Sequence, residues 1–395
     1  MKKRSLCLSL LCLLLLLLSA CAGEAPDEAE APGSPELSAE TEIPEETPET
    51  PAAGEKIGII SPYQNLNLRV LAETAKPEDY VCSYWPYEYP FETEKIVECI
   101  EASLNDPEVG LLLMNSVHGD IAAALEKTAE LRPEVPRFVC LSDSMVEGLP
   151  RQADLLLDFD YPAQAKRMVE QAVEMGAENL VYYEYWEWKN RPEVAEELER
   201  MEEICRELGI SYQAALGPEA MGHESYIFVP KDLARRVTEL GEKTAFCSSA
   251  GNLQHVLIAA VLEHGGIYPG PVCPERLVDP AEDILGSSRE EDDLKTGYSI
   301  SHLDARQQLR EKGPDGRIAD FPISYSELEL RAAYEYARLW LAGELPEQGV
   351  DKAALLRIME EISGGYCYVD FAREGEEASE SHILYYMEPQ LVEWE

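Results

Sequence analysis

The chain has 395 residues and a formal net charge of −43 at pH 7, from 76 acidic and 33 basic side chains. This excess of carboxylates argues against a nucleic-acid partner and against a protein that lies flat on an anionic membrane surface. The part of the chain that follows an N-terminal leader and linker is long enough for two lobes of ordinary domain size.

The first residues of the chain have the three parts of a secretory signal peptide. Lys2, Lys3 and Arg4 form a basic start, residues 10–18 are an unbroken apolar run, and small residues lead up to Cys21. Because a bilayer span needs ~20 apolar residues, this run is too short for a comfortable transmembrane anchor. No later segment of the sequence is apolar enough to cross a membrane. We therefore predict a signal peptide over residues 1–21.

The residues around the cleavage site, Leu18-Ser19-Ala20-Cys21, resemble a bacterial lipobox. The resemblance implies that Cys21 is acylated and becomes the first residue of the mature protein. Two or three acyl chains, each contributing ~0.8 kcal/mol per buried methylene, then tether the protein to the outer face of the cell membrane. The alternative is an ordinary signal peptide with an incidental cysteine.

Residues 22–55 form a low-complexity segment of mainly Glu, Asp, Pro, Ala, Ser and Thr, with no Lys, Arg or aromatic residue. Such a composition cannot bury enough apolar surface to offset the entropy of ordering, so we predict a disordered linker. Its like charges and prolines should keep it extended. We interpret it as a stalk between membrane and domain, and a partner-binding tail is the alternative.

From Lys56 onward, short apolar strands alternate with helices. We predict strands at 56–60, 80–85, 109–114, 137–141, 155–159, 179–183, 211–215, 244–247 and 265–268, with tail strands at 366–371 and 383–386. We predict helices at 65–74, 92–103, 120–131, 163–175, 192–208, 231–240, 253–264, 324–342 and 352–362. Continuous apolar strands with helices between them indicate parallel sheets covered on both faces. The predicted fold class is therefore α/β, with two doubly wound parallel-sheet lobes.

Polar side chains close most of these apolar runs. Ligands of open parallel sheets bind beyond the carboxyl ends of the strands, where hydroxyl and amide groups suit the capture of a small polar molecule. The candidate ligand-binding residues are Ser61, Tyr63, Gln64, Asn115, Ser116, Asp143, Tyr185, Trp186, Ser248, Ser249 and Asn252. The rings of Tyr185 and Trp186 are suited to stacking on a flat ligand. The alternative is that these polar residues are helix caps and turn formers and that the rings only pack the lobes.

The sequence carries no familiar catalytic or metal-binding motif. It has no GxSxG elbow, Walker loop, GxGxxG or HExxH, and its cysteines form no CxxC pair. We therefore predict a protein that is not an enzyme and that needs no cofactor and no metal. A hydrolase-like enzyme using the turn at residues 247–249 with a distant histidine, His255 or His302, is the third-ranked interpretation.

Four stretches resemble type 1 periplasmic-binding-protein lipoproteins: KIGIIS at 56–61, GLLLMNSVHGDIAAALEK at 110–127, ADLLLDFD at 153–160, and the segment at 244–275. The chain is most similar to an uncharacterised bacterial family of such lipoproteins, and more distantly to the basic membrane lipoproteins that bind nucleosides. Transcription factors that share this fold carry a DNA-binding headpiece, where this chain has a signal peptide and a stalk.

The resemblance implies two lobes joined by three crossovers, with the ligand in the cleft and closure by hinge motion. Lobe one would hold residues 56–160 plus about 320–345. Lobe two would hold residues 161–290 plus about 347–395. The crossings would fall near 158–162, near 290–320 and near Pro346.

Together these features predict an extracytoplasmic, membrane-anchored solute-binding lipoprotein that passes a small polar ligand to an ABC-type permease. The alternative is a sensory or receptor lipoprotein that uses the same cleft for signalling. The acidic segment at 279–295 and the extended tail depart from the small sugar-binding members of the class, so the resemblance does not identify the ligand.

Overall fold

The computed structural model describes residues 54–62, 70–72, 74–85, 93–115, 120–129, 131–140, 152–184, 192–216, 223–248, 253–270, 316–346, 349–374 and 377–391. The predicted signal peptide, Cys21 and almost all of the predicted linker lie outside these residues. Within the described residues, no helix combines the length and the apolar character needed to span a bilayer.

Strands and helices alternate along the described chain. The strands are β1 (Lys56–Ser61), β2 (Tyr80–Tyr84), β3 (Val109–Asn115), β4 (Arg137–Cys140), β5 (Leu155–Phe159), β6 (Asn179–Glu184), β7 (Ser211–Leu216), β8 (Thr244–Ser248), β9 (Ala319–Asp320), β10 (Cys367–Glu374), β11 (Glu377–Met387) and β12 (Gln390–Leu391). The helices are α1 (Thr93–Leu104), α2 (Asp120–Thr128), α3 (Tyr161–Glu174), α4 (Pro192–Leu208), α5 (His223–Leu240), α6 (Gln254–His264), α7 (Tyr325–Leu341) and α8 (Lys352–Ser363).

Most of the predicted elements are present, with three main differences. Strand β11 begins at Glu377, whereas the sequence predicted a strand at 383–386. Helix α5 begins at His223 and continues through Pro230, whereas the sequence pattern predicted a start just after this proline. The strand predicted at 265–268 is reduced to two isolated bridges, Ala245 with Ile267 and Tyr268 with Ile318. Of the helix predicted at 65–74, residues 70–72 and 74 are described and are helical.

The described strands form two large sheets and one small antiparallel pair, β12-β9. The first has the order β10-β11-β5-β4-β3-β1-β2, and all its neighbours pair in parallel except β10 with β11. The second has the order β7-β6-β8 and is parallel throughout. The predicted α/β class with two parallel sheets is therefore confirmed. We call the first sheet with α1, α2, α7 and α8 the first lobe. The second lobe is the second sheet with α3–α6 and the β12-β9 pair, because Ile318, just before β9, packs in the core of the second sheet and bridges to Tyr268.

The first sheet is covered on both faces, which explains why its strands are apolar without alternation. Along β3, Leu111 and Leu113 pack in the cluster formed with α7, whereas Leu112 and Met114 pack in the cluster formed with α1 and α2. All four side chains are fully buried.

The second sheet is also covered on both faces. Tyr182 of β6 packs in a cluster with Met168 of α3, while its neighbour Tyr183 packs in a cluster with Val229 of α5. Because consecutive side chains of a strand point to opposite faces, the two tyrosines belong to different cores. Both lobes therefore have the three-layer arrangement that the sequence predicted.

The C-terminal tail belongs to the first lobe, so its predicted assignment to the second lobe (residues about 347–395) is wrong. Strand β11 pairs in parallel with β5, with Tyr385 opposite Phe159. Ile383, Tyr385 and Met387 alternate along β11 and are buried in the same cluster as α7 and α8. Burial of this apolar stripe against an otherwise open edge of the first sheet places the tail there.

Three connections between the lobes lie within the described residues, and we call them the hinge connections. The first, at 159–161, joins β5 to α3 and falls where it was predicted. The second, at 320–325, joins β9 to α7 and lies just beyond its predicted position. The third, at 387–390, joins β11 to β12. The crossing predicted near Pro346 is wrong, because the chain stays in the first lobe until Met387.

Asp232 of α5 ties that helix to the second sheet. Its carboxylate accepts hydrogen bonds from the hydroxyl of Tyr183, at 3.2 Å, and from Nε of Arg236, at 2.6 Å. Burial alone would raise the pKa of Asp232, but the hydrogen bonds from Arg236 and Arg235 outweigh it and hold the pKa below its ordinary value of 3.8.

We expect Asp232→Asn to lower the free energy of unfolding at pH 7 by about 1–3 kcal/mol, because the neutral amide has one accepting oxygen, whereas Arg235 and Arg236 now bond different oxygens of the carboxylate. The folded-state pKa lies below the unfolded one, so the carboxylate stabilises fully above the unfolded pKa and loses its effect as pH falls through the folded pKa. Urea unfolding of both proteins at pH 7 and at points below pH 4 tests this. The difference should shrink in acid, and Glu203→Gln, in an exposed ion pair with Arg206, is the control. A difference that does not change with pH would contradict the assignment.

Candidate functional site

The described residues include three of the candidate ligand-binding residues: Ser61, Asn115 and Ser248. The others lie outside the described ranges: Tyr63, Gln64, Ser116, Asp143, Tyr185, Trp186, Ser249 and Asn252. The three described residues are each the last residue of a strand, at the carboxyl edge of their sheet.

Ser61 and Asn115 are neighbours at the carboxyl edge of the first sheet. They end β1 and β3, and the residues just before them, Ile60 and Met114, are paired. Both side chains lie on the sheet face that packs against α7, because Ile59 and Leu113 two residues earlier belong to that cluster. The strand-end rule therefore brought these two residues together correctly.

Ser248 ends β8 at the carboxyl edge of the second sheet, where it pairs with Tyr183. Beside it, the central strand β6 ends in Glu184, a carboxylate that is only 1% exposed. The sequence analysis did not select Glu184, because it predicted a strand that ends at residue 183 and chose Tyr185 and Trp186 as the binding residues that follow it. A carboxylate directly after an apolar run was the available signal.

These strand-end groups are inside the protein. Ser61 and Asn115 have no exposed surface, and Ser248 is 6% exposed. Each of the three, like Glu184, interacts with other parts of the protein. A fully buried side chain meets a ligand only after a local rearrangement of the residues that cover it.

The hinge connections are hydrogen bonded to one another. The backbone N–H of Asp160, in the first connection, donates to the carbonyl of Tyr385, at 2.7 Å. The backbone N–H of Met387, in the third connection, donates to Oε1 of Gln164, at 3.1 Å. Strand β12 then pairs with β9, which leads into the second connection. The first and third connections thus each bond an element that flanks the other, and the third connection joins the second through the β12-β9 pair.

An Asp-Phe pair occurs at both of the first two hinge connections. Oδ1 of Asp158 accepts the backbone N–H of Phe159, and Oδ1 of Asp320 accepts that of Phe321, each at 2.8 Å. Both carboxylates are buried. Oδ2 of Asp158 lies 3.4 Å from Nε2 of His382 on β11. Each carboxylate thus joins the connection to another part of the fold.

Asp320 connects the hinge to the second lobe. Its two oxygens accept from the amide of Gln254, at 3.2 and 3.1 Å. Gln254 is the first residue of α6, the helix that follows the candidate residues 248–252. Burial, and then the charge of Asp320, raises the pKa of Tyr268 well above its ordinary value. The start of α6 is therefore linked directly to the second connection.

Four aromatic side chains form a cluster around the hinge. The ring centroids of Phe159 and Tyr325 are 4.4 Å apart, those of Phe321 and Tyr325 are 4.8 Å apart, and those of Phe159 and Tyr385 are 5.4 Å apart. All three contacts are edge-to-face, an arrangement that aromatic pairs favour. Because each ring lies in or beside a hinge connection, the cluster anchors the hinge to the first lobe.

Cys247, the first residue of the turn on which the enzyme interpretation rests, is buried inside the second lobe. Its Sγ lies 3.4 Å from Sδ of Met168, and burial raises the pKa of the thiol well above its ordinary value. A thiol in such surroundings stays protonated and is a poor nucleophile. Among the described residues, no group of three or more His, Cys, Asp and Glu side chains is placed to hold a metal ion.

Two solved structures are similar to this chain, and the first of them shows the fold. A candidate transcriptional regulator from Clostridium difficile 630 has a TM-score of 0.70 and 16% sequence identity, over 86% of this chain and 99% of that one. A sugar ABC transporter from Actinomyces odontolyticus ATCC 17982 has a TM-score of 0.47 and 14% identity, over 75% of this chain and 86% of that one. The fold is that of the type 1 periplasmic-binding-protein class, as predicted.

Within that class, residues 71–281 match the model of a family described as "Protein of unknown function (DUF3798)". The match covers more than half of the chain, and the chain belongs to this family. The predicted resemblance to a family of unknown function is thereby confirmed.

Two proteins of Treponema pallidum (strain Nichols), both named "Uncharacterized protein", are related in sequence. One is 24% identical over 139 residues, which are 35% of this chain and 62% of the relative. The other is 23% identical over 173 residues, which are 43% of this chain and 80% of the relative. The chain thus spans less than two thirds of the first relative's length.

Proposed function

We propose that this protein captures a small polar molecule between its two lobes, at the outer face of a cell membrane, and passes it to an ABC-type permease. The observation that carries the proposal is the joining of two parallel sheets by three hinge connections. In folds of this kind a ligand lies beyond the carboxyl ends of the strands and is enclosed by hinge closure.

The chemistry of the strand ends supports capture of a polar molecule. Ser61, Asn115 and Ser248 supply hydroxyl and amide groups, and Glu184 supplies a carboxylate. Such groups fix the orientation of a ligand through hydrogen bonds. The burial of Cys247 makes its thiol a poor nucleophile.

The hinge supports closure by rotation of one lobe against the other. Its connections are short, and each changes lobe within a few residues. The hydrogen bonds between Asp320 and Gln254 couple the second connection to the start of α6, so the two would move together. A ligand held near Ser248 would therefore act on the hinge through one hydrogen-bonded step.

The sequence of the N-terminal region supports anchoring at the membrane. A basic start, an apolar run and the lipobox-like residues before Cys21 fit an acylated, exported protein. The acidic segment that follows fits a stalk, because its like charges favour extension.

One experiment tests anchoring and binding together. The protein is extracted from its membrane fraction and measured by mass spectrometry, first intact and then under native conditions. We expect acyl chains on a mature chain that begins at Cys21, and a co-purified small polar molecule that native conditions preserve. An unmodified chain would contradict the anchor. The absence of a bound molecule, together with no thermal shift across a panel of sugars, nucleosides and amino acids, would contradict the binding function.

We expect Asn115→Ala and Ser248→Ala each to weaken binding of that molecule about tenfold, the effect of losing one hydrogen bond of ~1.4 kcal/mol. Both variants should still unfold cooperatively, because the strands that carry these residues are held by their apolar neighbours. Isothermal titration calorimetry measures the affinity. Ser211→Ala is the matched control, because Ser211 begins β7 at the opposite, amino edge of the second sheet and is exposed. Unchanged affinity in both variants would remove these residues from the site.

A further inference from the structure

An ion pair connects the two lobes beside the hinge. Nη2 of Arg167, on α3 of the second lobe, lies 2.8 Å from Oε1 of Glu388, in the third hinge connection, and Nε lies 3.1 Å from the same oxygen. The two residues are 221 positions apart in the chain. The side chain of Arg167 is 14% exposed and that of Glu388 is 27% exposed. This pair is therefore better shielded from water than an ordinary surface ion pair.

Glu388 is fixed to the first lobe. Its backbone N–H donates to the carbonyl of Tyr366, at 3.0 Å, just before β10. Its second carboxylate oxygen, Oε2, accepts from the hydroxyl of Tyr368, at 3.2 Å. One carboxylate thus holds Arg167 of the second lobe with one oxygen and Tyr368 of the first lobe with the other.

Arg167 is held in position by its own helix. Its guanidinium donates to Glu174, at 3.1 and 3.3 Å, and to Gln171, at 3.2 Å. Glu170 lies 3.8 Å away. Because these partners are also on α3, the guanidinium moves with the second lobe as a rigid part of it. A rotation that separates α3 from the third connection must break the pair with Glu388.

We propose that the Tyr368–Glu388–Arg167 bridge is a latch that stabilises the described orientation of the two lobes and so sets the affinity of the binding site. The inference rests on the proposed function, because it assigns a control element to that site. If the ligand binds a different orientation, only the fraction of molecules in that orientation can bind it. The smaller this fraction is, the weaker the apparent affinity. Loosening the latch therefore changes affinity without any contact between these residues and the ligand.

Four variants distinguish a bridge that controls the orientation of the lobes from one that only stabilises the fold. Glu388→Gln keeps the size of the side chain but removes its charge, and Arg167→Gln removes the cation. Tyr368→Phe removes only the hydroxyl that donates to Glu388. Because Tyr368 is 46% exposed, we expect this variant to fold normally. Arg206→Gln is the matched control, because Arg206 bonds Glu203 of the same helix at 3.1 Å, within one lobe.

Single-molecule fluorescence transfer on the full chain, without ligand, measures the orientation of the lobes. The dyes are placed through non-natural amino acids at two exposed helix positions, Glu126 of the first lobe and Glu202 of the second. We expect Arg167→Gln and Glu388→Gln to shift the ratio of orientations by roughly fivefold or more, Tyr368→Phe to shift it less in the same direction, and Arg206→Gln to leave it unchanged.

A distribution that is the same in wild type and in all three bridge variants would overturn the latch. If Arg167→Gln or Glu388→Gln fails to fold, Tyr368→Phe decides the question alone. The measurement needs no ligand, so its outcome is separate from that of the proposed function: a failed latch leaves ligand binding to be judged by mass spectrometry and calorimetry.

Discussion

Replacing Phe159 by alanine is expected to lower the free energy of unfolding by about 3–5 kcal/mol, the range for a large aromatic side chain removed from a core. Phe159 is 4% exposed and contacts Tyr161, Tyr325 and Tyr385 edge-to-face. The cavity would open at the point where β5 leaves the first lobe, between two helices and β11. Equilibrium urea unfolding followed by circular dichroism measures the change.

Phe371→Ala is the matched control for Phe159→Ala. Phe371 also follows an aspartate whose Oδ1 accepts its backbone N–H at 2.8 Å, but it lies on the outermost strand of the first sheet and is half-buried. We expect this variant to lose clearly less, about 1–2 kcal/mol. Equal losses in the two variants would show that the hinge cluster has no special importance for stability.

The second large effect is expected for Asp320→Ala, with a loss of about 2–4 kcal/mol of unfolding free energy. The substitution leaves the amide of Gln254 and the backbone N–H of Phe321 without the acceptor that they have now. A buried donor without an acceptor destabilises the folded state by more than the hydrogen bond had stabilised it, because no water can replace the lost acceptor. Urea unfolding again gives the magnitude.

Asp370→Ala separates the effect of burial from that of the local hydrogen bond. Asp370 accepts the N–H of Phe371 with the same geometry as Asp320 does for Phe321, but its side chain is 72% exposed. Water can replace the lost acceptor there, so we expect a change of about 0.5 kcal/mol or less. A loss at Asp370 as large as that at Asp320 would mean that the hydrogen bond to Gln254 contributes nothing.

Much of the fold was predictable because both sheets are covered on both faces. Short continuous apolar runs such as Leu111–Met114 are typical of strands buried on both faces. The helices between them are predicted by the spacing of their own apolar residues. The placement of the tail was not predictable in the same way. The alternation of Ile383, Tyr385 and Met387 shows that one face of β11 is buried, but it does not show which sheet supplies the neighbouring strand.

The candidate site was predictable only at its strand ends. The rule for parallel sheets selected Ser61, Asn115 and Ser248, and the structure places all three at carboxyl edges. Their burial could not be read from the chain, because it depends on neighbours that are distant in sequence. The hinge contacts depend on such neighbours even more. The Asp-Phe pairs can be found in the sequence. Their carboxylates contact Gln254 and His382 only because the fold brings these distant residues together.

The first lobe is assembled from two parts of the chain that synthesis separates widely in time. Strands β1–β5 are made early, whereas α7, α8 and the strand that covers the open edge of β5 are made last. An emerging chain therefore cannot complete the hydrophobic core on the α7 face of the first sheet until almost all of it has left the ribosome. Contacts between such distant segments form slowly. A nascent chain of this design leaves that face of the first sheet uncovered until its last segments have been made.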